Sequence, residues 1–381
     1  MRHPVSTPGR LERGLMRAVQ ERAARCATDP CTPDEVHPAA ERAPDLDAVR
    51  RRRLAWTLAV LALLGLAAGL ATGAGGFSPT QFWADLHGEQ ARLIVGEIRA
   101  PRTLGAALVG ALLGLSGAIA QGLFRNPLAD PYLLGSAAGA ALAVVLVLAA
   151  AALAGAALSL ATALWLERIG LVAAAFCGAL AGVAMTLALA RGAVQTLRLL
   201  LAGVVVGVLL GAVSDLITVA WPDALRGKQA FMLGSTGFLG HSSLLLLGGG
   251  LALLAWAARR HARALDALTL GEDSAASLGI ELARVRLALV LMLSLGTALA
   301  VSQAGLVAFV GLVSPHLVRR HAPGAHGWLL AASAGMGAVL LLGADVISRA
   351  AIAPLELPVG VVTAVLGGLY LFVLLQRRGQ P

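Results

Sequence analysis

The sequence predicts an all-α, polytopic membrane protein with about ten transmembrane helices, and three observations carry that expectation. Hydrophobic residues make up 58% of the 381-residue chain and charged residues only 13%, about half the roughly 25% of an ordinary soluble protein, and the mean hydropathy is +0.79. The apolar residues gather into runs of about 20, the length a helix needs to cross the hydrocarbon core. The basic residues fall unequally between alternate loops. This composition excludes a disulfide scaffold, a collagen and a soluble enzyme that merely touches a bilayer. The surplus of 30 basic over 21 acidic side chains, all arginine except Lys228, points to orientation in a lipid bilayer and not to nucleic acid.

Residues 1–53 hold eleven arginines, eight acidic residues and six prolines without apolar periodicity, and read as a disordered or loosely helical cytoplasmic extension. They are not a signal peptide, because the first apolar run starts only at Leu54 and is long enough to stay in the membrane. Cys26, Cys31 and His37 lie in this extension without a second ligand pair, so neither a metal nor a cofactor is expected.

The membrane domain is expected over 54–378. Leu54 to Gly75 is the first span, Thr103 to Phe124 the second, and the overlong run from Tyr132 to Leu166 holds the third at about 132–153 with an alanine-rich outer connection after it. Ile169 to Ala190 and Leu199 to Ala220 are the fourth and fifth. A short helix near Phe231 to Leu233 precedes the sixth span, at 242–258. Leu287 to Val318 is 32 residues without a formal charge, which fits two spans joined by a break at Gln303, Ala304 and Gly305. Trp328 to Ala344 and Leu357 to Gln376 complete the set. With both termini cytoplasmic, inner flanks carry 16 arginines and outer loops 7 basic residues, as the positive-inside rule requires.

No GxxxxGK[ST] loop, paired carboxylates, HExxH or GxSxG is present, so the chain shows neither nucleotide-binding nor hydrolytic machinery and reads as a non-enzyme. Four loops are informative. Arg99-Ala100-Pro101-Arg102 opens the second helix on the outer side. Gln121 to Pro131 and Leu134-Gly135-Ser136 form an inner turn, with Asn126-Pro127 and Asp130-Pro131 stopping one helix and starting the next. A further inner loop runs from Arg263 to Arg286 through Gly271 and Gly279. The fourth group is Gly311 to Leu317, then Asp345, Arg349 and Glu356 to Gly360. Ser314-Pro315-His316 within it reads as helix packing. In this order, these segments resemble the permease subunits of binding-protein-dependent ABC importers for iron-siderophore, haem and cobalamin, over about residues 54–378.

The resemblance implies a type II ABC importer permease that forms a two-fold dimer with a second copy of itself. Two copies of an ATP-binding subunit would dock inside, and a periplasmic or extracellular substrate-binding protein outside. It casts Arg99, Arg102 and Arg349 as contacts to acidic side chains on that binding protein. Two cations at a helix N-terminus oppose the macrodipole, so the residues alone already call for acidic compensation, although snorkelling at the interface is the alternative. The loop 263–286 becomes the coupling loop, two short surface helices with Gly271 and Gly279 at the turns and Leu268, Leu270 and Leu278 buried against the ATP-binding subunit. Thr196 would sit at the inner gate of the pathway.

Asp215 is an intramembrane acid, costly unless it faces a cavity or partner; it lines the pathway or lies near the outer interface. Glycines at 110, 114, 117 and 122 serve close helix packing. The rival class is an ion-coupled secondary transporter using Asp215, Asp345 and Glu356, which differs in needing no ATPase. A receptor or scaffold would transport nothing even with partners present.

Overall fold

A computed structural model describes residues 46–73, 75–85, 88, 93–154, 170–193 and 195–378. The expected extension up to Asp45, with Cys26, Cys31 and His37, lies outside the described residues, as does the outer connection at 155–169. Among the described residues, nine helices are long and apolar enough to cross a membrane.

Helix α1 (Leu46–Ala71) starts eight residues before the apolar run, because Arg50 to Arg53 are good helix formers and Asp47 lies in the first turn, 3.5 Å from Arg50. A two-strand hairpin follows, β1 (Thr72–Gly73) antiparallel to β2 (Gly76–Phe77), then α2 (Pro79–Asp85). The second crossing begins with a π-helical turn, Ile94–Arg99, that runs into α3 (Ala100–Leu123). Pro101 has no N–H to give to the carbonyl four residues back and its ring crowds that carbonyl. The turn before it widens, and the Ala100 N–H bonds to Val95, five residues back.

Helix α3 is the axis of the molecule, its apolar window 83% buried. The glycine series makes this possible. A Cβ added at Gly114 would lie 2.1 Å from the Ser333 carbonyl, and one at Gly117 only 1.7 Å from that of Gly311. Backbone thus packs on backbone. Helices α4 (Ser136–Ala154) and α5 (Leu171–Leu189) repeat the device through Gly139, Gly178 and Gly182.

Helix α6 (Thr196–Ala220) turns at Trp221 into α7 (Pro222–Leu233), which is 12 residues long. The expected fragment at 231–233 was too short because Asp223, Arg226 and Lys228 interrupt the apolar run, whereas Pro222 and Asp223 are proper first-turn residues. Helix α8 (His241–Thr269) has 29 residues, about 44 Å against a ~30 Å core, so it continues well beyond the expected end at 258. After α9 (Glu272–Ser277), α10 (Leu282–Ala304) crosses outward.

The eighth crossing is broken. Residues 305–309 are non-helical, with Gly305 and Phe309 at positive φ, and α11 (Val310–His321) has only 12 residues. The non-helical stretch is tolerated because protein surrounds it. Leu306 N–H donates to the Phe231 carbonyl at 3.0 Å, Ser235 N–H to Ala304 at 2.8 Å, and the Tyr132 hydroxyl to Val307 at 3.3 Å. Helices α12 (His326–Ala350) and α13 (Val359–Arg378) close the fold. The main core is gathered around α3, with Leu112, Leu113 and Ile119 meeting Leu265, Leu289 and Leu293.

Candidate functional site

Arg102 and Arg349 converge on one buried acid. Asp345 is 0% exposed, and its Oδ1 accepts the Arg102 Nε–H at 3.2 Å and the Thr236 hydroxyl at 2.5 Å. Its Oδ2 lies 2.5 Å from Arg349 Nη2. Arg102 also forks onto Glu356, with both nitrogens at 2.9 Å. Arg349, 3% exposed, donates Nη1 to the Gly69 and Thr72 carbonyls at 2.9 Å each.

Two cations and two carboxylates therefore balance, with bidentate geometry of the strong kind. The compensation that the helix dipole demanded comes from within the chain. This corrects the expected placement of Arg102 and Arg349 as outward contacts: burial and internal pairing commit both to holding α1, α3 and α12 together. Arg99 is half-buried, 3.2 Å from the Leu70 carbonyl. Thr236 and Asp345 were not assigned to this cluster from sequence, since their meeting depends on segments more than a hundred residues apart.

The loop 263–286 contains one short helix, α9, and not two, because α8 absorbs its first part. Gly271 (φ +110°) and Gly279 (φ +79°) bracket α9 in conformations that side chains rarely adopt. Leu270 and Leu278 are 68% and 65% exposed, whereas Leu268 is 2% exposed and belongs to the chain's own core. That corrects Leu268 as a partner contact. Glu272 at the start of α9 ties the loop down, 3.2 Å from Arg125 and 2.5 Å from Arg286. The signal for it was a glutamate in a first turn, where the helix dipole favours an acid.

Thr196 opens α6 and lines an inner cleft of about 420 Å³ with Phe124, Arg125, Gln195, Leu200 and Glu272. The gate candidate and the anchored end of α9 thus share one cavity. Asp215 does not join it. It lies five residues before the C-terminal end of α6, about 8 Å along the axis, and is ion-paired to Lys228 of α7. Asp215, Asp345 and Glu356, the acids a secondary transporter would use, each have a cationic partner.

The inner Asx-Pro pairs act as turns. Asn126 Oδ1 accepts the Leu128 N–H at 2.9 Å, and Asp130 Oδ1 accepts that of Tyr132 at 2.8 Å. Burial pushes the Asp130 carboxyl above the usual range, and the Tyr132 N–H offsets part of that rise. His316 packs edge-on against Tyr370 at 5.9 Å.

With this geometry in view, comparison with known proteins is informative. The profile of the FecCD transport family matches residues 60–377. The hemin transport system permease protein HmuU of Yersinia pestis is 40% identical over 286 residues, 74% of this chain and 83% of the relative. The vitamin B12 import system permease protein BtuC of Klebsiella pneumoniae is 38% identical over 335 residues, covering 87% of this chain and 96% of the relative. Among solved structures, an inward-facing ABC transporter assigned to the metal-chelate type superposes with a TM-score of 0.74 at 25% identity, over 86% of this chain and 99% of that one.

Proposed function

Because the chain belongs to the FecCD transport family, we propose that it is the permease subunit of an ATP-driven importer that carries an iron(III)-siderophore or a related metal chelate, such as haem or cobalamin, across the inner membrane. The observation that carries this reading is that the family match runs from residue 60 to 377, together with 40% and 38% identity to permeases named for hemin and vitamin B12. Two copies of the chain would enclose the path. Two ATP-binding subunits would engage the inner loops through Leu270 and Leu278, the glycines at 271 and 279 letting α9 stand out from the membrane. Both termini would be cytoplasmic.

The substrate-binding protein would dock on the outer rim at Arg99, with Arg102 and Arg349 supporting that rim from beneath. ATP hydrolysis belongs to the partner. In the chain itself, the paired state of the intramembrane acids favours this reading over ion-coupled transport, since a carboxylate held by an arginine or a lysine is a poor carrier of a proton or sodium ion.

Reconstitution in liposomes tests it. Uptake of radiolabelled ferric siderophore, haem or cobalamin is expected only with the ATP-binding subunit, internal ATP and the binding protein present. Uptake by the chain alone, driven by a proton or sodium gradient, overturns the proposal.

A further inference from the structure

A second inner cleft, distinct from the one Thr196 lines, has a charge balance that the transport reading does not use. It encloses about 360 Å³ and is lined by Gln121, Arg125, Asn126, Thr269, Arg319 and His326. These residues sit where α3, α8 and α11 end and α12 begins. In the orientation proposed above, on which this inference rests, the cleft lies at the inner membrane surface.

Its cations are unequally matched. Arg125 pairs with Glu272 at 3.2 Å. His326 meets Asp266 through Nδ1 at 2.7 Å and its backbone N–H at 2.8 Å. Arg319 donates Nη1 to Gln121 Oε1, a neutral amide. The Gln121 amide is itself held in place by its Nε2 donating to the Leu312 carbonyl at 3.0 Å. Among the described residues, no carboxylate lies within ion-pair distance of Arg319. Its remaining guanidinium N–H groups form a fork suited to a tetrahedral oxyanion.

The plain alternative is that Arg319 only complements the C-terminal dipole of α11. Arg320 and His321 stand in the same last turn and are exposed to solvent. Arg319 is half-buried and drawn into the cleft, where the dipole alone gives it no reason to be.

We propose that this cleft binds a phosphate-bearing anion, the headgroup of an anionic phospholipid of the inner leaflet, with Arg319 as its principal donor. Basic pockets between transmembrane helices on the cytoplasmic side suit such headgroups, and this one opens where α3 and α8 end. Free phosphate shares the chemistry but not the anchoring. Through Arg125 and Glu272 the bound headgroup would brace the base of α9, so lipid composition would reach the loop proposed for coupling.

The test uses the full chain in nanodiscs of neutral phosphatidylcholine with increasing phosphatidylglycerol, read by thermal unfolding and by native mass spectrometry of retained lipid. Phosphatidylglycerol is expected to raise the unfolding temperature of the wild type. Arg319→Gln is expected to weaken retention about fivefold or more, the effect of about 1 kcal/mol per arginine near an anionic surface, while Arg320→Gln has little effect. Arg319→Lys, which keeps the charge and loses the fork, is expected to fall between wild type and Arg319→Gln and covers the case in which the glutamine variant does not fold. Equal losses in Arg319→Gln and Arg320→Gln overturn the site in favour of diffuse surface electrostatics. No preference for phosphatidylglycerol over phosphatidylcholine overturns it outright. The same stabilisation by inorganic phosphate in neutral discs overturns the lipid assignment.

Discussion

At the scale of single residues, two carboxylates show how position decides what charge does. Asp345 is fully buried, and its cost is offset only because Arg102, Arg349 and Thr236 all reach it. Removing one member of such a set leaves the others buried and unpaired. Asp345→Asn is accordingly expected to destabilise the chain by about 3 kcal/mol, measured by thermal unfolding in detergent, and removing Arg102 as well is expected to recover part of the loss. Asp130 behaves in the opposite way. Burial raises its carboxyl above the ordinary aspartate range, so folding favours the protonated form. Stability should be greatest below that ordinary range, decline as pH rises through it towards the raised folded value, and then level off. Asp130→Asn keeps the oxygen that accepts the Tyr132 N–H and should flatten this profile, as unfolding temperatures over a pH series would show.

At the scale of elements, the inner loop illustrates how a short helix can be made rigid and available at once. Helix α9 is anchored at its start by Glu272 between Arg125 and Arg286 and bounded by two positive-φ glycines, so Leu270 and Leu278 project from a fixed frame. Leu270→Asp is expected to weaken association with the ATP-binding subunit about tenfold or more, as loss of an apolar anchor does, while the folded chain alone keeps its unfolding temperature. Co-purification of the two subunits measures this. The loop's glycines and exposed leucines were legible in the sequence because backbone permissiveness and hydrophobicity are local properties. The fate of Leu268 was not. It depends on α8 continuing past the membrane, which charge-free runs cannot reveal once Arg259, Arg260 and Arg263 interrupt them.

At the scale of the whole molecule, the series of apolar helices and the glycine-lined axis at 110–122 could be read from composition and spacing, since membrane solvation leaves few other solutions. The outer ion cluster could not be read in that way. Arg102, Thr236, Asp345 and Glu356 meet only after four separate segments have assembled, and nothing local distinguishes an arginine that pairs inward from one that faces a partner.

The broken eighth crossing has a consequence for how the protein is made. Helix α11 is too short to be recognised as a hydrophobic stop by itself, and the non-helical residues 305–309 have no backbone ladder of their own. Their hydrogen-bond partners Phe231 and Tyr132 are synthesised earlier. Leaving the insertion channel should therefore be a joint event, with α10 holding the segment until it docks against helices already in the lipid. A reporter fused after Pro323 should take its cytoplasmic place when the preceding chain is intact and lose it when α7 is deleted, a dependence that protease protection of the two fusions would measure.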